Sequence, residues 1–528
     1  MGGALGRLFE AAERTPQRTL LITGERRYSF GDFVTQAAAL VQRLRADGFV
    51  RGERVALYLD DYDAFFIALV GVWLAGGVAV PLNTSLPQES LAGLLRRAQP
   101  AFLLVPDKEA CASATSPVEP RRLVFRPSEA QSAAVAPECT AEAGGEVGGG
   151  RARDERSAVG TGEVARPETF TPLAPDELAV IMFTSGTTGV PKGALQTLAS
   201  VLGNAARVAQ ELGLTAEDRI FINTPPYFTS GICHFLTLLS VGGSTAAQQG
   251  FFFGQSLLGH MEALGCTGFG GAPAHLVRVV EPMDEPVQPG RLRFWVSSGD
   301  HLPLSTIDKM RAVLPGVALY NMYGLTEVSG RLCVLPPSEL ERHRGSVGRP
   351  LPGMTVTVRR PDGTPAPPGK VGELFVTGDL VMQGYLDEPE MTAEVLTRHG
   401  LRTGDFGHQD ADGFVWVAGR QDDIFKRGGE KVSAVSVQQA VMDLGLFRDA
   451  VVVAVEDEIL GKVPVAFVVP APATKFKRGA AMRELKRRLP ATWLPTRLVP
   501  LPEIPRTGSG KPIRRELLAC LDGRDSDE

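Results

Sequence analysis

The chain has 528 residues, 44% of them hydrophobic and 22% charged, with a formal net charge of −5. That length exceeds what one core supports and predicts two or more domains, and the slight acidity leaves no basic footprint for nucleic acid. Six scattered cysteines (Cys111, Cys139, Cys233, Cys266, Cys333 and Cys520), with no C-x-x-C pair, argue against a disulfide framework or a zinc site and fit a reducing cytoplasm.

The N-terminal stretch MGGALGRLFEAAERTPQ has no long apolar region, so a secretory signal is not expected, and Gly6 stands where the myristoylation pattern requires Ser or Thr. Phe65 to Leu82 runs eighteen residues without a charge. Gly76-Gly77 and Pro81 predict a helix broken at the glycines and followed by a buried strand at VAVPL, rather than a membrane span of about twenty residues. A soluble, cytoplasmic protein is expected. Residues 127–169 hold no Leu, Ile, Met, Phe, Tyr or Trp. Such a stretch buries too little apolar surface to offset its ordering entropy, which predicts a disordered surface insertion, with a regulatory tail as the alternative.

ELAVIMF (Glu177 to Phe183) has the length of a buried strand, and Leu198, Val201, Leu202, Ala205, Val208, Ala209 and Leu212 fall at helical spacing. Between them TSGTTGVPKG (Thr184 to Gly193) packs four hydroxyl residues, three glycines and one lysine. Glycines let backbone N–H groups turn toward an anion, hydroxyls add neutral donors and lysine adds charge, so the loop reads as a phosphate cradle. A flexible linker has a similar composition, but it seldom joins a buried strand to a packed helix. Pro191 before Lys192 breaks the P-loop pattern, and the G-x-G-x-x-G spacing is absent. TGSGKP (Thr507 to Pro512) only imitates the P-loop tail, with Pro505 and Pro512 at required positions.

YNMYGLTE (Tyr320 to Glu327) offers an aromatic face for a purine, a hydroxyl for phosphate and a carboxylate for Mg²⁺; a strand followed by a turn is the alternative. RTGDFG (Arg402 to Gly407) places Asp405 in a tight turn, where it accepts both ribose hydroxyls or merely bonds its own backbone. GRQDDIFKRGGEKV (Gly419 to Val432) mixes charges with a Gly pair at a domain boundary near residue 420, and a solvated linker would look similar. Beyond it, strands at Ala450 to Val455 and Val463 to Val469 and the helix pattern GAAMRELKRRL predict a small α+β domain. Lys511 follows on a glycine-flexed loop, where an exposed lysine is usually plain surface.

In order and spacing, these motifs resemble the adenylate-forming superfamily of acyl-CoA synthetases, carrier-linked adenylation domains and beetle luciferases. The resemblance runs from LAGGVAVPLN (Leu74 to Asn83) through FTSGTTGVPKGA, PPYFTSG, SSGDHL, YGLTE, GELFVTG and RTGDFG to RTGSGKPIRREL, and omits residues 108–169. It implies an α/β fold: a large multi-subdomain adenylating domain over 1–420, its sheets flanked by helices, and a small mobile α+β domain over 421–528. The implied chemistry is attack of a carboxylate on MgATP to give acyl-AMP and pyrophosphate, then displacement of AMP by the thiol of CoA. The alternatives are transfer to the pantetheine of an acyl carrier protein, or a non-catalytic scaffold. The short stretch between YGLTE and RTGD leaves no room for a long extra module, which favours free CoA. Thr187, Glu327, Asp405 and Lys511 are all present, which speaks against a degenerate scaffold. A monomer or homodimer is expected.

By this resemblance Thr184, Ser185, Gly186, Thr187, Thr188, Gly189 and Lys192 hold the ATP phosphates. Tyr323 stacks near adenine, Thr326 touches the α-phosphate and Glu327 binds Mg²⁺. Gly299 and Asp300 line the adenine side, Asn321 and Gly324 complete the nucleotide set, Asp405 takes the ribose hydroxyls and Arg420 supports the nucleotide. Lys511 matches the mobile lysine of the first step, Lys426 assists the second, Asp422 is the hinge, and Gly428 and Gly429 line the pantetheine tunnel. Two departures stand out. Phe228 replaces a histidine common in CoA ligases, and Ala434 and Ser436 replace the usual Pro and Glu after the hinge. Thr229 occupies the position where amino-acid-activating relatives carry Asp, which disfavours an α-amino acid. Phe228, Gly271, Ser297, Met322, Gly324 and Val328 are the expected, uncharged pocket walls. They favour an apolar medium-chain aliphatic or aryl acid over a dicarboxylate, whose second carboxylate would want a cation.

Overall fold

The eighteen uncharged residues divide as their glycines predict. Tyr62–Ala75 is a helix, Gly76 caps it in the left-handed region at φ 83°, and Val78–Pro81 follows as a buried strand. Every residue of the helix is buried. Beyond the buried Asp63 of its first turn the helix is apolar on all faces, and such a helix belongs between two layers; here Phe66 stacks on Phe235 of helix Thr229–Ser240 at 4.2 Å between ring centroids. Burying each such phenylalanine contributes about 1.5–3 kcal/mol. The stack therefore fixes the second helix, whose first turn faces the candidate site. The computed structural model describes residues 3–107, 120–127, 170–184, 191–250, 254–420, 423–427, 430–457, 460–471, 477–506 and 512–522. The expected insertion lies outside them, apart from Pro127.

Two large sheets flank these helices. The seven-stranded sheet runs Gly384–Tyr385, Lys192–Thr197, Leu178–Thr184, Val78–Pro81, Arg54–Leu57, Phe102–Val105, Arg121–Val124. The nine-stranded sheet runs Arg349–Pro350, Cys333–Leu335, Ala318–Tyr323, Phe294–Ser298, Gly268–Gly271, Arg219–Ile222, Ser244–Ala247, Thr19–Thr23, Arg26–Ser29. Its central strands are parallel and buried on both faces, as crossover helices require. Phe294, Val296 and Met322 join the main core with the helices just described, while Phe269, Trp295 and Leu319 face helices Pro273–Val280 and Leu304–Val313. A third, five-stranded sheet carries Met354–Arg359, Gly372–Gly378, Gly400–Gln409, Leu396–Thr397 and Val415–Arg420.

The C-terminal part is a separate α+β layer. Glu430–Ser433, Ile424–Arg427, Gly461–Pro470, Phe447–Asp457 and Arg497–Pro500 form its sheet, with helices Ala434–Met442 and Arg478–Arg488 on one face. The expected strands and helix of this region are all present. The architecture is α/β with a large N-terminal part and a small C-terminal one, as the sequence implies. Ala434 and Ser436 do not disturb the start of the first helix. Ser433 Oγ accepts from Ser436 N at 3.1 Å and donates to the Ala418 carbonyl at 2.7 Å, so the cap survives the loss of Pro and Glu.

Candidate active site

The hairpin of strands Leu178–Thr184 and Lys192–Thr197 presents the glycine-rich loop at its tip, with Thr184 opposite Lys192. Periodicity alone passed over the second strand and led straight to helix Leu198–Glu211. Thr184 and Lys192 are described; Ser185, Gly186, Thr187, Thr188 and Gly189 lie outside the described residues. Lys192 Nζ stands 5.5 Å from the centroid of the Tyr385 ring, within cation–π range. The Tyr385 hydroxyl donates to Glu327 Oε1 at 2.8 Å. Lys192, Tyr385 and Glu327 thus form one connected group at the start of strand Lys192–Thr197.

Strand Ala318–Tyr323 delivers the next residues through a sharp turn. Thr326–Val328 is a single 3₁₀ turn, and Ser329 and Gly330 follow at φ 61° and 122°. The turn is pinned by two buried amides that sequence reasoning did not single out. Gln196 Nε2 donates to the Thr326 carbonyl at 2.8 Å, and its Oε1 accepts from Ser329 Oγ at 2.8 Å. Asn204 Nδ2 donates to the carbonyls of Val328 at 3.2 Å and Arg331 at 2.6 Å. A signal existed, because Asn204 interrupts the apolar stripe of Val201, Ala205 and Val208, and a fully buried amide needs backbone partners. The Thr326 and Thr229 hydroxyl oxygens lie 3.2 Å apart, which places the first turn of helix Thr229–Ser240 against the turn.

Asp405 corrects an expectation. It stands inside strand Gly400–Gln409, directly opposite Arg420 in the antiparallel ladder, not in a tight turn. The glycine at 404 (φ 74°) and the Thr403 hydroxyl, which accepts from Asp405 N at 3.0 Å, gave the sequence its turn-like look. Asp405 Oδ1 accepts from Arg420 Nε at 3.2 Å and Oδ2 accepts from the Tyr323 hydroxyl. Burial pushes the Asp405 carboxyl up, opposed by the Arg420 charge and the Tyr323 hydroxyl, and burial drives the Tyr323 phenol well above its ordinary value. A carboxylate has about four lone-pair sites, so two remain for a pair of vicinal hydroxyls. Tyr323 is anchored there by its hydroxyl, with its ring packed against the main core.

The remaining candidates disperse. Gly299 is left-handed at φ 98°, a conformation that favours glycine. Asp300 Oδ2 accepts from Arg506 Nη1 of the C-terminal part at 3.3 Å. Asn321 Nδ2 donates to the Ser346 carbonyl at 2.9 Å. Phe228 precedes helix Thr229–Ser240, its ring 4.9 Å from that of Tyr227. Met322 and Val328 are buried in the main core, but Gly271 and Ser297 are in register with each other and face the opposite side of the sheet, where a Cβ on Gly271 would meet Phe269 and His275. Gly324 has no room for a side chain: a Cβ there would lie 1.7 Å from the Gly330 carbonyl oxygen. Lys511, Asp422, Gly428 and Gly429, and the side chain of Lys426, lie outside the described residues.

One residue of this region escaped the sequence reading altogether. Arg331 ends the turn and is buried, and its Nη2 lies 3.2 Å from His234 Nε2. A buried cation therefore stands beside walls that were expected to be uncharged.

Comparison with known proteins follows the same lines. The family described as AMP-binding enzyme matches residues 8–386, and the AMP-binding enzyme C-terminal domain matches 436–511. Sulfoacetate–CoA ligase of Cupriavidus necator is 29% identical over 515 residues, covering 96% of each chain. The medium-chain fatty-acid–CoA ligase of Escherichia coli is 28% identical over 93% of this chain and 85% of its own. Among solved structures, the o-succinylbenzoate CoA synthetase of Bacillus subtilis, in complex with its acyl-adenylate intermediate, superposes with a TM-score of 0.78 at 24% identity, covering 97% of each chain. At that identity the likeness speaks for the fold.

Proposed function

The chain belongs to the AMP-binding enzyme family, and from that membership we propose an AMP-forming acid–CoA ligase for a medium-chain aliphatic or aryl carboxylic acid. The acid's carboxylate attacks the α-phosphorus of ATP and expels pyrophosphate, forming acyl-AMP. The thiolate of CoA then attacks the acyl carbon and AMP leaves. The first step brings an anion to a polyanion, so catalysis is mostly positioning and neutralisation of charge.

One observation carries the reading. Tyr323 and Glu327, four residues apart at the end of one strand and on the pinned turn that follows it, each engage a polar group with a cation beside it: Tyr323 bonds Asp405, which pairs with Arg420, and Glu327 bonds Tyr385, whose ring Lys192 approaches. The first group suits ribose and base, the second suits phosphate and metal. Glu327 Oε1 accepts from Tyr385, and Oε2 has no bonded partner among the described residues, which fits a Mg²⁺ ligand. Mg²⁺ bound there would neutralise phosphate charge. Lys192 and the loop from Thr184 hold the β- and γ-phosphates, Thr326 approaches the α-phosphate, and Lys511 and Lys426 serve the first and second steps in turn. The division at 420 and 421 belongs to the same proposal. It is supported by the apolar clusters, none of which crosses residue 420 among the described residues. CoA as acceptor is supported by the relatives, which are named as CoA ligases.

The test is acid-dependent ATP–pyrophosphate exchange over a panel of acids, followed by thioester formation with CoA or with a holo-carrier protein. Exchange followed by acyl-CoA is expected. Silence with every acid would sink the enzyme reading, and thioester on the carrier alone would sink CoA.

A further inference from the structure

Among the described residues, Arg331 is a buried cation without an acid. It retains 5% of its surface, and among the described residues its guanidinium makes one side-chain hydrogen bond, to His234 Nε2. A guanidinium carries five N–H donors. The other ionisable group that its charge feels is the Cys233 thiol, and no carboxylate of the described residues pairs with it. His234 supplies no negative charge, because burial first and Arg331 second hold it well below its ordinary value, as a neutral ring accepting at Nε2. Withdrawing an ion from water is costly even after relaxation, so a fold that buries one without an acid among the described residues leaves a place for an anion.

The location says which anion. Asn204 clamps the Arg331 backbone, accepting from its N–H at 3.3 Å and donating to its carbonyl at 2.6 Å. From that held backbone the guanidinium reaches the His234 side of helix Thr229–Ser240. That helix meets Thr326 through Thr229, at the end where the activated carboxylate meets phosphate. His234 is five residues further on, a rise of about 7.5 Å at ~1.5 Å per residue. Its ring covers Gly270, where a Cβ would come within 2.6 Å. Arg331 and His234 therefore lie between that helix and the sheet, on the side toward which the proposed ligase chemistry would extend the acyl group.

We propose that Arg331 receives a second anionic group of the substrate, so that the acid carries a distal carboxylate or sulfonate roughly 7–8 Å from the carboxylate that is activated. The inference rests on the acid–CoA ligase reading and specifies its substrate as dianionic. It also meets the condition that the uncharged walls failed: a second buried carboxylate wants a cation, and Arg331 is one.

The experiment compares heptanoate, heptanedioate, heptanedioate monomethyl ester and 6-sulfohexanoate, with shorter and longer homologues and a para-carboxylated arylpropanoate beside its unsubstituted parent. Exchange kinetics are measured with each, and binding in the presence of AMP is measured by calorimetry, which needs no turnover. Wild type should prefer the dianions by roughly 10²–10³-fold in kcat/KM, and the carboxylate and sulfonate arms tell the two head groups apart. Arg331→Met should abolish that preference with the KM for ATP unchanged, which certifies the fold, and Arg331→Lys should keep part of it. Equal or better use of the monocarboxylates by wild type, or a preference that survives in Arg331→Met, would overturn the inference. If no acid supports exchange, the ligase reading falls, and calorimetry still decides: a dianion bound no tighter than its monoanion would refute the role of Arg331.

Discussion

Gly324→Ala tests whether the pinned turn positions the proposed catalytic groups. The added methyl would lie 1.7 Å from the Gly330 carbonyl oxygen, 2.7 Å from its carbon and 2.9 Å from the Arg331 Cα, whereas real Cβ contacts do not fall below 3.0 Å. All three atoms are backbone, so no side chain can swing aside, and the turn must open by more than about 1 Å. It is not free to do so cheaply, because Leu332 N donates to the Tyr323 carbonyl at 2.8 Å and Asn204 holds Arg331. A displacement of about 1 Å in a positioned group costs on the order of 10²-fold in rate, equivalent to about 2.7 kcal/mol at ~1.36 kcal/mol per decade. Overpacking takes a further ~1–3 kcal/mol from stability. Exchange kinetics and urea unfolding measure the two effects separately. Gly93→Ala, on helix Gln88–Ala98 with only the tip of Arg96 nearby at 4.0 Å, is the matched control and should be neutral or slightly stabilising. A Gly324→Ala enzyme within about threefold of wild type would show that the turn does not set the chemistry.

If the C-terminal part alternates between steps, Lys511→Ala should slow adenylation roughly 10²–10³-fold yet spare transfer from pre-formed acyl-AMP, with Lys426→Ala doing the reverse; equal slowing of both half-reactions by Lys511→Ala would contradict alternation. His275 should make stability pH-dependent. Burial first, then Arg278 and Arg506, lowers it from 6.5 to about 4, and its Nδ1 accepts from Ala272 N at 3.0 Å. Its folded value is depressed, so its contribution is complete above pH 6.5 and is lost as pH falls toward 4, about 3 kcal/mol in all. Urea unfolding across that window should lose this slope in His275→Asn, and an unchanged slope would exonerate the residue. Arg331→Met should raise the unfolding free energy of the ligand-free protein by about 1–3 kcal/mol, since it removes an uncompensated buried charge; marked destabilisation would mean that the guanidinium already has its partners.

What was legible in the sequence was local. A helix apolar on every face and stopped by Gly76-Gly77, a hydroxyl- and glycine-rich loop after a buried strand, and the alternating α and β signals of the C-terminal part each follow from a period, a breaker or a composition. Those depend on the residue and its near neighbours along the chain, so they survive without coordinates. Asp405 was readable as a candidate but not in its setting. Arg420 and Tyr323 reach it from 15 and 82 residues away, across a strand ladder and a sheet boundary. Asn204 and Gln196 were not singled out in the sequence, because only the fold brings the turn of Thr326 to Arg331 over them. Arg331 was the most deceptive, since an arginine after Ser-Gly reads as surface in any local window. Whether a charge is buried, and whether an acid waits beside it, is decided by which distant elements close around it. Tertiary structure alone settles that, because desolvation depends on everything packed within a few ångströms and not on what is adjacent in sequence.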